Sequence, residues 1–298
     1  TVGRIVEPWV AEEIIANGKA DVCMIGRANL CDPEFANKAK DGRIEDIRPC
    51  IGCLRCLNGI MFGKPVACTM NPSFALENED TLQPSLMKKK ILVIGAGPAG
   101  MEAAYVAKKR GHDVVLCEKE DDVGGALKAA SVPIGKQDLC QVIKWMRHRL
   151  VQSGVDIRTK TMVTLEMLQN EFHDYEAIAS TGAKAIIPQS MTSFKQWMTG
   201  DDILNGRAFP GRKIVIVGGG SVGCELADYL APLVNDHFPR NRDITIIEMG
   251  QEVMLNESGP GRSLLVQRLM KKGVKMIVNA KVEQVTNNQI TYVQNQIG

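Results

Sequence analysis

The strongest constraint on the fold is a pattern that occurs twice. ILVIGAGPAGMEAAYVAKKRGHDVVLCEK reads as a strand, a glycine turn, a helix and a second strand that ends on Glu118. KIVIVGGGSVGCELADYLAPLVNDHFPRNRDITIIEM repeats that order and ends its second strand on Glu248. In Gly95-x-Gly97-x-x-Gly100 and Gly218-x-Gly220-x-x-Gly223 the first glycine permits the tight turn and the second lets a pyrophosphate approach the backbone. The third allows the helix to lie close on the strand, and the helix N-terminus presents partial positive charge to phosphate. A lone glycine pattern is weak, but strand, turn, helix, strand and terminal carboxylate together make a purely structural role a poor explanation. Ala99, Ser221 and Val222 lie in the opening helical turns, and Lys119 follows Glu118.

Glu118 and Glu248 are placed to accept hydrogen bonds from a ribose diol, and a carboxylate repels a 2′-phosphate, so NADH is favoured over NADPH at the second turn. That second unit is the longer one and carries Pro232, Pro239 and Arg240-Asn241-Arg242. Arg240 and Arg242 are alternatives that reach toward a 2′-phosphate, although a solvated loop is the commoner role for such residues.

The rest of the chain reads around these units. WVAEEIIANG is helical and stops at Gly18; ADVCMIG is a short buried strand leading to Gly26-Arg27; PEFANKAKDG is a second helix. Asn71 to Lys90 reads as a polar linker ending in a solvated Lys88-Lys89-Lys90. QDLCQVIKWMRHRLVQSG is a helix, followed by short strands and Ser180-Thr181-Gly182. KVEQVTNNQITYV reads as a strand pair turning at Asn287-Asn288. The first residue is not Met and neither end closes a unit, which suggests a piece of a longer enzyme.

Nine cysteines, four of them within nineteen positions, do not form a disulfide framework. Cys50-x2-Cys53-x2-Cys56, with Cys68 after eleven intervening residues, supplies four thiolates suited to the corners of a 4Fe-4S cluster. Structural zinc is the alternative, but zinc ribbons use two separated knuckles, whereas three cysteines here crowd one. Gly52 and the Gly59 to Gly63 stretch would let backbone N–H groups approach the cluster sulfurs. Cys23, Cys117 and Cys224 read as small buried apolar residues. The histidines at 112, 148, 173 and 237 lack ligand spacing and read as surface or capping residues; Trp9, Trp145 and Trp197 read as packing. A formal charge of +2 steers the chain toward neither nucleic acid nor an anionic membrane, and leaves small molecules as partners. The absence of a long apolar run and of a signal sequence is consistent with a cytoplasmic protein.

VGRI (2–5), GRANLCDP (26–33), RPCIGCLRC (48–56), Cys68, GAGPAG (95–100), VGGAL (123–127), STGA (180–183) and GGGSVG (218–223) follow one another as in a known family. The chain resembles the C-terminal half of the iron–sulfur NADH:flavin oxidoreductases, which include 2,4-dienoyl-CoA reductase, 2-enoate reductases and trimethylamine dehydrogenase. The resemblance implies an α/β fold. Residues 1–48 would be the C-terminal remnant of an FMN-binding β/α (TIM) barrel and 49–87 the 4Fe-4S segment and linker. Residues 88–210 would form an FAD- or ADP-binding Rossmann-like domain and 211–298 an NAD(P)H-binding one. Gly3, Arg4, Gly26 and Arg27 would hold the FMN phosphate, and Gly125, Thr181 and Gly182 would join the FAD site.

Electrons would pass from NADH through FAD and the cluster to FMN, which reduces an activated C=C bond. No catalytic acid can be assigned, because the barrel strands that carry it in the family are absent. The full-length enzyme's oligomeric state stays open. An amine dehydrogenase-like protein with ADP in the first fold is one alternative, but the intact second turn argues against it. A nucleotide-binding and electron-transfer module without turnover is another. A disulfide reductase needs a cysteine pair at the flavin face, which VGGALKAASVPIG lacks.

Overall fold

A computed structural model of the chain describes residues 1–76, 82–231, 242–255, 257, 260–287 and 289–295. Pro232, His237, Pro239, Arg240, Asn241 and Asn288 therefore lie outside the described residues. The chain divides into two compact units, residues 1–131 with 138–182, and residues 132–137 with 183–298.

The first unit begins with α1 (Pro8–Ala16), whose entry is favoured by a proline at its first turn. Gly18, at φ +61°, takes the chain out of it. Three short helices follow: α2 (Arg27–Cys31), α3 (Phe35–Lys40) and α4 (Arg55–Met61). Ala28, Phe35 and Ile47 form a small buried cluster beneath them. The expected strand at ADVCMIG is reduced to a single parallel bridge between Val2 and Met24, and Val22 and Met24 are exposed. A regular strand needs a run of paired residues along at least one edge, and here a single bridge forms.

The nucleotide-type fold then runs β1 (Lys90–Ile94), α5 (Pro98–Lys109), β2 (Asp113–Cys117), α6 (Ala126–Ala130), α7 (Asp138–Ser153), β3 (Asp156–Arg158), α8 (Leu165–Gln169) and β4 (Glu176–Ala179). Its four strands are parallel, in the order β3-β2-β1-β4. Side chains alternate across the sheet. Val93 and Leu116 join Met101, Ala104, Trp145 and Leu150 from α5 and α7, while Leu92 and Val115 join Phe172 in another cluster.

In the second unit, α9 (Gly200–Leu204) precedes β5 (Lys213–Val217), α10 (Ser221–Leu230), β6 (Asp243–Ile247), α11 (Pro260–Lys271), β7 (Lys275–Ile277), β8 (Ala280–Val285) and β9 (Ile290–Gln294). β5, β6 and β7 form a parallel sheet, and β8 and β9 the expected antiparallel pair. Both parallel sheets are of the Rossmann type. No helix among the described residues is long and apolar enough to cross a membrane.

Several local expectations change. Asn71 does not begin a solvated linker: it is buried, and its amide donates to the Leu30 carbonyl. The three lysines at the entry to β1 are exposed but paired, Lys88 with Asp113, Lys89 with Glu176 and Lys90 with Asp174. His148 is no isolated surface residue, since it bonds the Asp46 carboxylate at 2.8 Å and holds that carboxyl below its usual range. Only Trp145 of the three tryptophans is buried; Trp9 is 55% exposed.

Candidate cysteine pocket and nucleotide turns

Residues 48–56 turn sharply, with Gly52 at φ +62° and Leu54 at φ +60°. Leu54 pays a steric penalty of roughly 1–2 kcal/mol for that backbone, and from it α4 starts with Cys56 on its first turn. The chain then returns past α4, where a Cβ on Gly59 would sit 2.9 Å from the Pro65 carbonyl oxygen. Gly59 thus permits close packing of the segment that delivers Cys68, a different role from the N–H approach expected of it.

Cys50, Cys53, Cys56 and Cys68 consequently line one pocket that opens to solvent. Arg27 lines it too. Burial pushes the Cys50 thiol up, while the Gly52 N–H and the Arg27 charge pull it back. Cys53 is exposed and its thiol donates to Thr69 Oγ1 at 3.2 Å. Among the described residues no three His, Cys, Asp or Glu side chains form a group fit to hold a single metal ion. Four thiols lining one pocket are the donor set that a 4Fe-4S cluster takes.

A fifth thiol escaped the sequence reading. Cys31 lines the same pocket, is 1% exposed, and donates to the Pro49 carbonyl at 3.4 Å. Its place one helical turn after Arg27, which also faces the pocket, is the signal that could have found it. Asp32 then braces the loop: its carboxylate accepts from Lys38 Nζ and from the Arg48 N–H, each at 2.7 Å. The Arg48 guanidinium lies over the Trp145 ring, as does Arg149, which also stacks on Tyr105. This stack, unseen in the sequence, ties the cysteine loop to α7.

Each glycine turn is built as expected. Gly95 and Gly218 take φ +100° and +104°, which favours glycine. A Cβ on Gly100 or Gly223 would collide with the carbonyl of Gly95 or Gly218 respectively. Gly97 and Gly220 cap α5 and α10; Ala99, Ser221 and Val222 occupy the opening turns. Ser221 Oγ donates to Glu257 at 2.7 Å.

Glu118 accepts from the N–H groups of Ala96 at 2.7 Å and Glu120 at 3.0 Å; Glu248 accepts from Gly219 at 2.6 Å and Gly250 at 2.7 Å. Each carboxylate is thereby fixed at the mouth of its turn, with lone pairs left for a ribose. Ser180 Oγ donates to the Gly95 carbonyl at 2.9 Å, which sets Thr181 beside the first turn, with Gly182 following it. Gly125 approaches Gly97 so closely that a Cβ on it would lie 2.9 Å from the Gly97 Cα. Lys119 is exposed and pairs with Glu120 at 3.6 Å. Gly3 and Gly26 both follow the parallel Val2 to Met24 bridge, one on each segment. Arg4 is engaged by Asp138, so its guanidinium is turned to an ion pair in this structure.

The family model for pyridine nucleotide-disulphide oxidoreductases matches residues 69–188 and 169–297. The chain belongs to that family. It is 36% identical over 296 residues to bilirubin reductase from Mediterraneibacter gnavus, covering 97% of this chain and 44% of the relative. It is 34% identical over 263 residues to cinnamate reductase from Clostridium sporogenes, covering 87% and 38%. The structure of 2-naphthoyl-CoA reductase in complex with 2-naphthoyl-CoA superposes with a TM-score of 0.90 at 26% identity, covering 98% of this chain and 44% of that one. The resemblance to the enoate-reductase type of flavin oxidoreductase therefore holds along the chain. The chain spans less than half the length of these relatives. Its family name refers to disulphides, yet the stretch after the first turn, VGGALKAASVPIG, carries no cysteine pair.

Proposed function

We propose that this chain is the electron-input portion of a flavin- and iron–sulfur-dependent oxidoreductase that reduces an activated C=C bond. The observation that carries the reading is the gathering of Cys50, Cys53, Cys56 and Cys68 on one pocket, in the same compact unit as the first glycine turn. The relatives that reduce cinnamate and 2-naphthoyl-CoA support the substrate class. When bound, the nicotinamide, flavins and cluster supply the chemistry: a two-electron donor is linked to one-electron carriers and then to a C=C bond.

The protein's own residues hold and orient these groups. Gly95, Gly97, Ala99 and Gly100, with Glu118, Lys119, Gly125, Thr181 and Gly182, would hold FAD. Gly218, Gly220, Ser221, Val222, Gly223 and Glu248 would hold NADH. The four cysteines would hold the cluster, with Arg27 offsetting its negative charge, and Gly3, Gly26 and Arg27 would contribute to an FMN site. On this reading residues 1–48, 49–87, 88–210 and 211–298 are the barrel remnant, the cluster segment, the FAD domain and the NADH domain.

Anaerobic purification, iron and sulfide analysis, and visible spectra before and after NADH addition test the proposal. The expected result is about four irons and four sulfides per chain, with a flavin absorbance that NADH bleaches. Zinc without sulfide, in a chain without flavin, would sink it.

A further inference from the structure

The cysteine pocket contains one thiol more than a 4Fe-4S cluster has corners. Cys31 is carried by α2, nineteen or more residues from any cysteine of the cluster segment, yet it lines the same pocket as Cys50, Cys53, Cys56 and Cys68. It is the most deeply buried of the five, 1% exposed, whereas Cys53 is exposed and the others are intermediate. Its sulfur and that of Cys68 are brought to the same pocket from separate segments of the chain.

A cysteine that only filled space would be expected among apolar neighbours. Cys31 has apolar company in Leu30, Ile51 and Met70, but it shares the pocket with Arg27 and four further thiols, and the hydrogen bond described for its own thiol is a weak one, to the Pro49 carbonyl. Asp32, the next residue, anchors the Arg48 N–H and so fixes α2 against the start of the cysteine loop.

Resting on the cluster reading above, we propose that Cys31 is a reserve ligand that takes the cluster corner of Cys68 when Cys68 is lost. In that exchange the Cys31 S–H gives its proton to solvent and gives up its bond to the Pro49 carbonyl. One Fe–S bond then forms at the corner that Cys68 no longer occupies, and no electrons are transferred.

The test compares the full chain with C31S, C68S and C31S/C68S, each purified anaerobically. Iron and sulfide are counted per chain, and electron paramagnetic resonance spectra are recorded after dithionite reduction. C31S and C68S are expected to keep about four irons, and the double variant to lose a quarter of its iron or more. The reduced spectrum should shift in C68S and stay unchanged in C31S, since only C68S has a changed ligand. Thermal melting monitors folding, and C68A repeats the test without a polar atom at the vacated position. Loss of iron from both C68S and C68A to the level of the double variant overturns the proposal. A wild-type chain without iron and sulfide fails at the earlier step and sinks the cluster reading itself.

Discussion

The two glycine-turn units share a local code and differ in how their helices are clasped. In the first unit Tyr105 on α5 meets Arg149 on α7, which is sandwiched between Tyr105 and Trp145 and paired with Glu102. In the second, the equivalent position on α10 is Asp228, which is 1% exposed and held by Arg268 of α11 and by Lys272 just beyond it, at 2.8 and 2.9 Å. One clasp is a cation on aromatic faces, the other an ion triad. Burial brings the Arg149 guanidinium down to about 10, with the nearby Arg48 charge acting in the same direction. Its Nε finds no hydrogen-bond partner among the described residues. The Asp228 carboxylate is fully engaged. Helix packing thus demands that the position be filled, and the chemistry of the filling is free to vary.

The largest effect should follow removal of the second clasp. Asp228→Ala leaves Lys272, 3% exposed, as a buried cation without its carboxylate, and breaking such a pair costs about 3–5 kcal/mol. Chemical denaturation should show this loss in the second unit's transition alone.

The turns themselves offer the next contrast. A Cβ on Gly95 would sit 2.5 Å from the Ser180 carbonyl oxygen, whereas one on Gly218 meets nothing within 4 Å. Both substitutions incur left-handed strain of about 1–2 kcal/mol. Gly95→Ala adds roughly 1–3 kcal/mol of overpacking, so it should lower stability more than Gly218→Ala. Equal losses in paired melting experiments would mean that β4 and Ser180 do not close the first turn.

Smaller still is the effect expected of Arg149→Met. Glu102 is 40% exposed and stays hydrated without its partner, and an apolar side chain between two rings avoids the cost of a buried charge. A change within about 1 kcal/mol is expected. A loss comparable to that of Asp228→Ala would show that the two clasps are energetically alike.

Last comes a pH effect at one helix position. Burial pushes the Cys224 thiol up to about 11 from 9.0, with Glu248 and Glu225 adding to it, while the equivalent residue on α5 is the non-ionising Met101. A raised folded value means that the contribution is whole below pH 9.0 and is lost as pH rises toward about 11. Cys224→Ala should therefore flatten the alkaline fall in melting temperature over that range. An unchanged profile would assign the fall elsewhere.

What the chain's own order of residues determined is the machinery whose geometry is local. Gly95, Gly100, Gly218 and Gly223 set backbone turns over six residues, and Glu118 and Glu248 end the strands that follow, so spacing alone placed them. The cysteine loop was legible for the same reason, with Cys50, Cys53 and Cys56 at every third position. Tertiary structure decided the rest. Cys31 reaches the pocket because Asp32 ties α2 to Arg48, and Arg149 meets Trp145 and Tyr105 because α5 and α7 lie side by side. ADVCMIG looks like a strand by composition yet forms one bridge, because a strand exists only with its neighbours. Local geometry is written in residue spacing, whereas burial, clasp chemistry and a fifth thiol at the pocket depend on which segments the fold brings into contact.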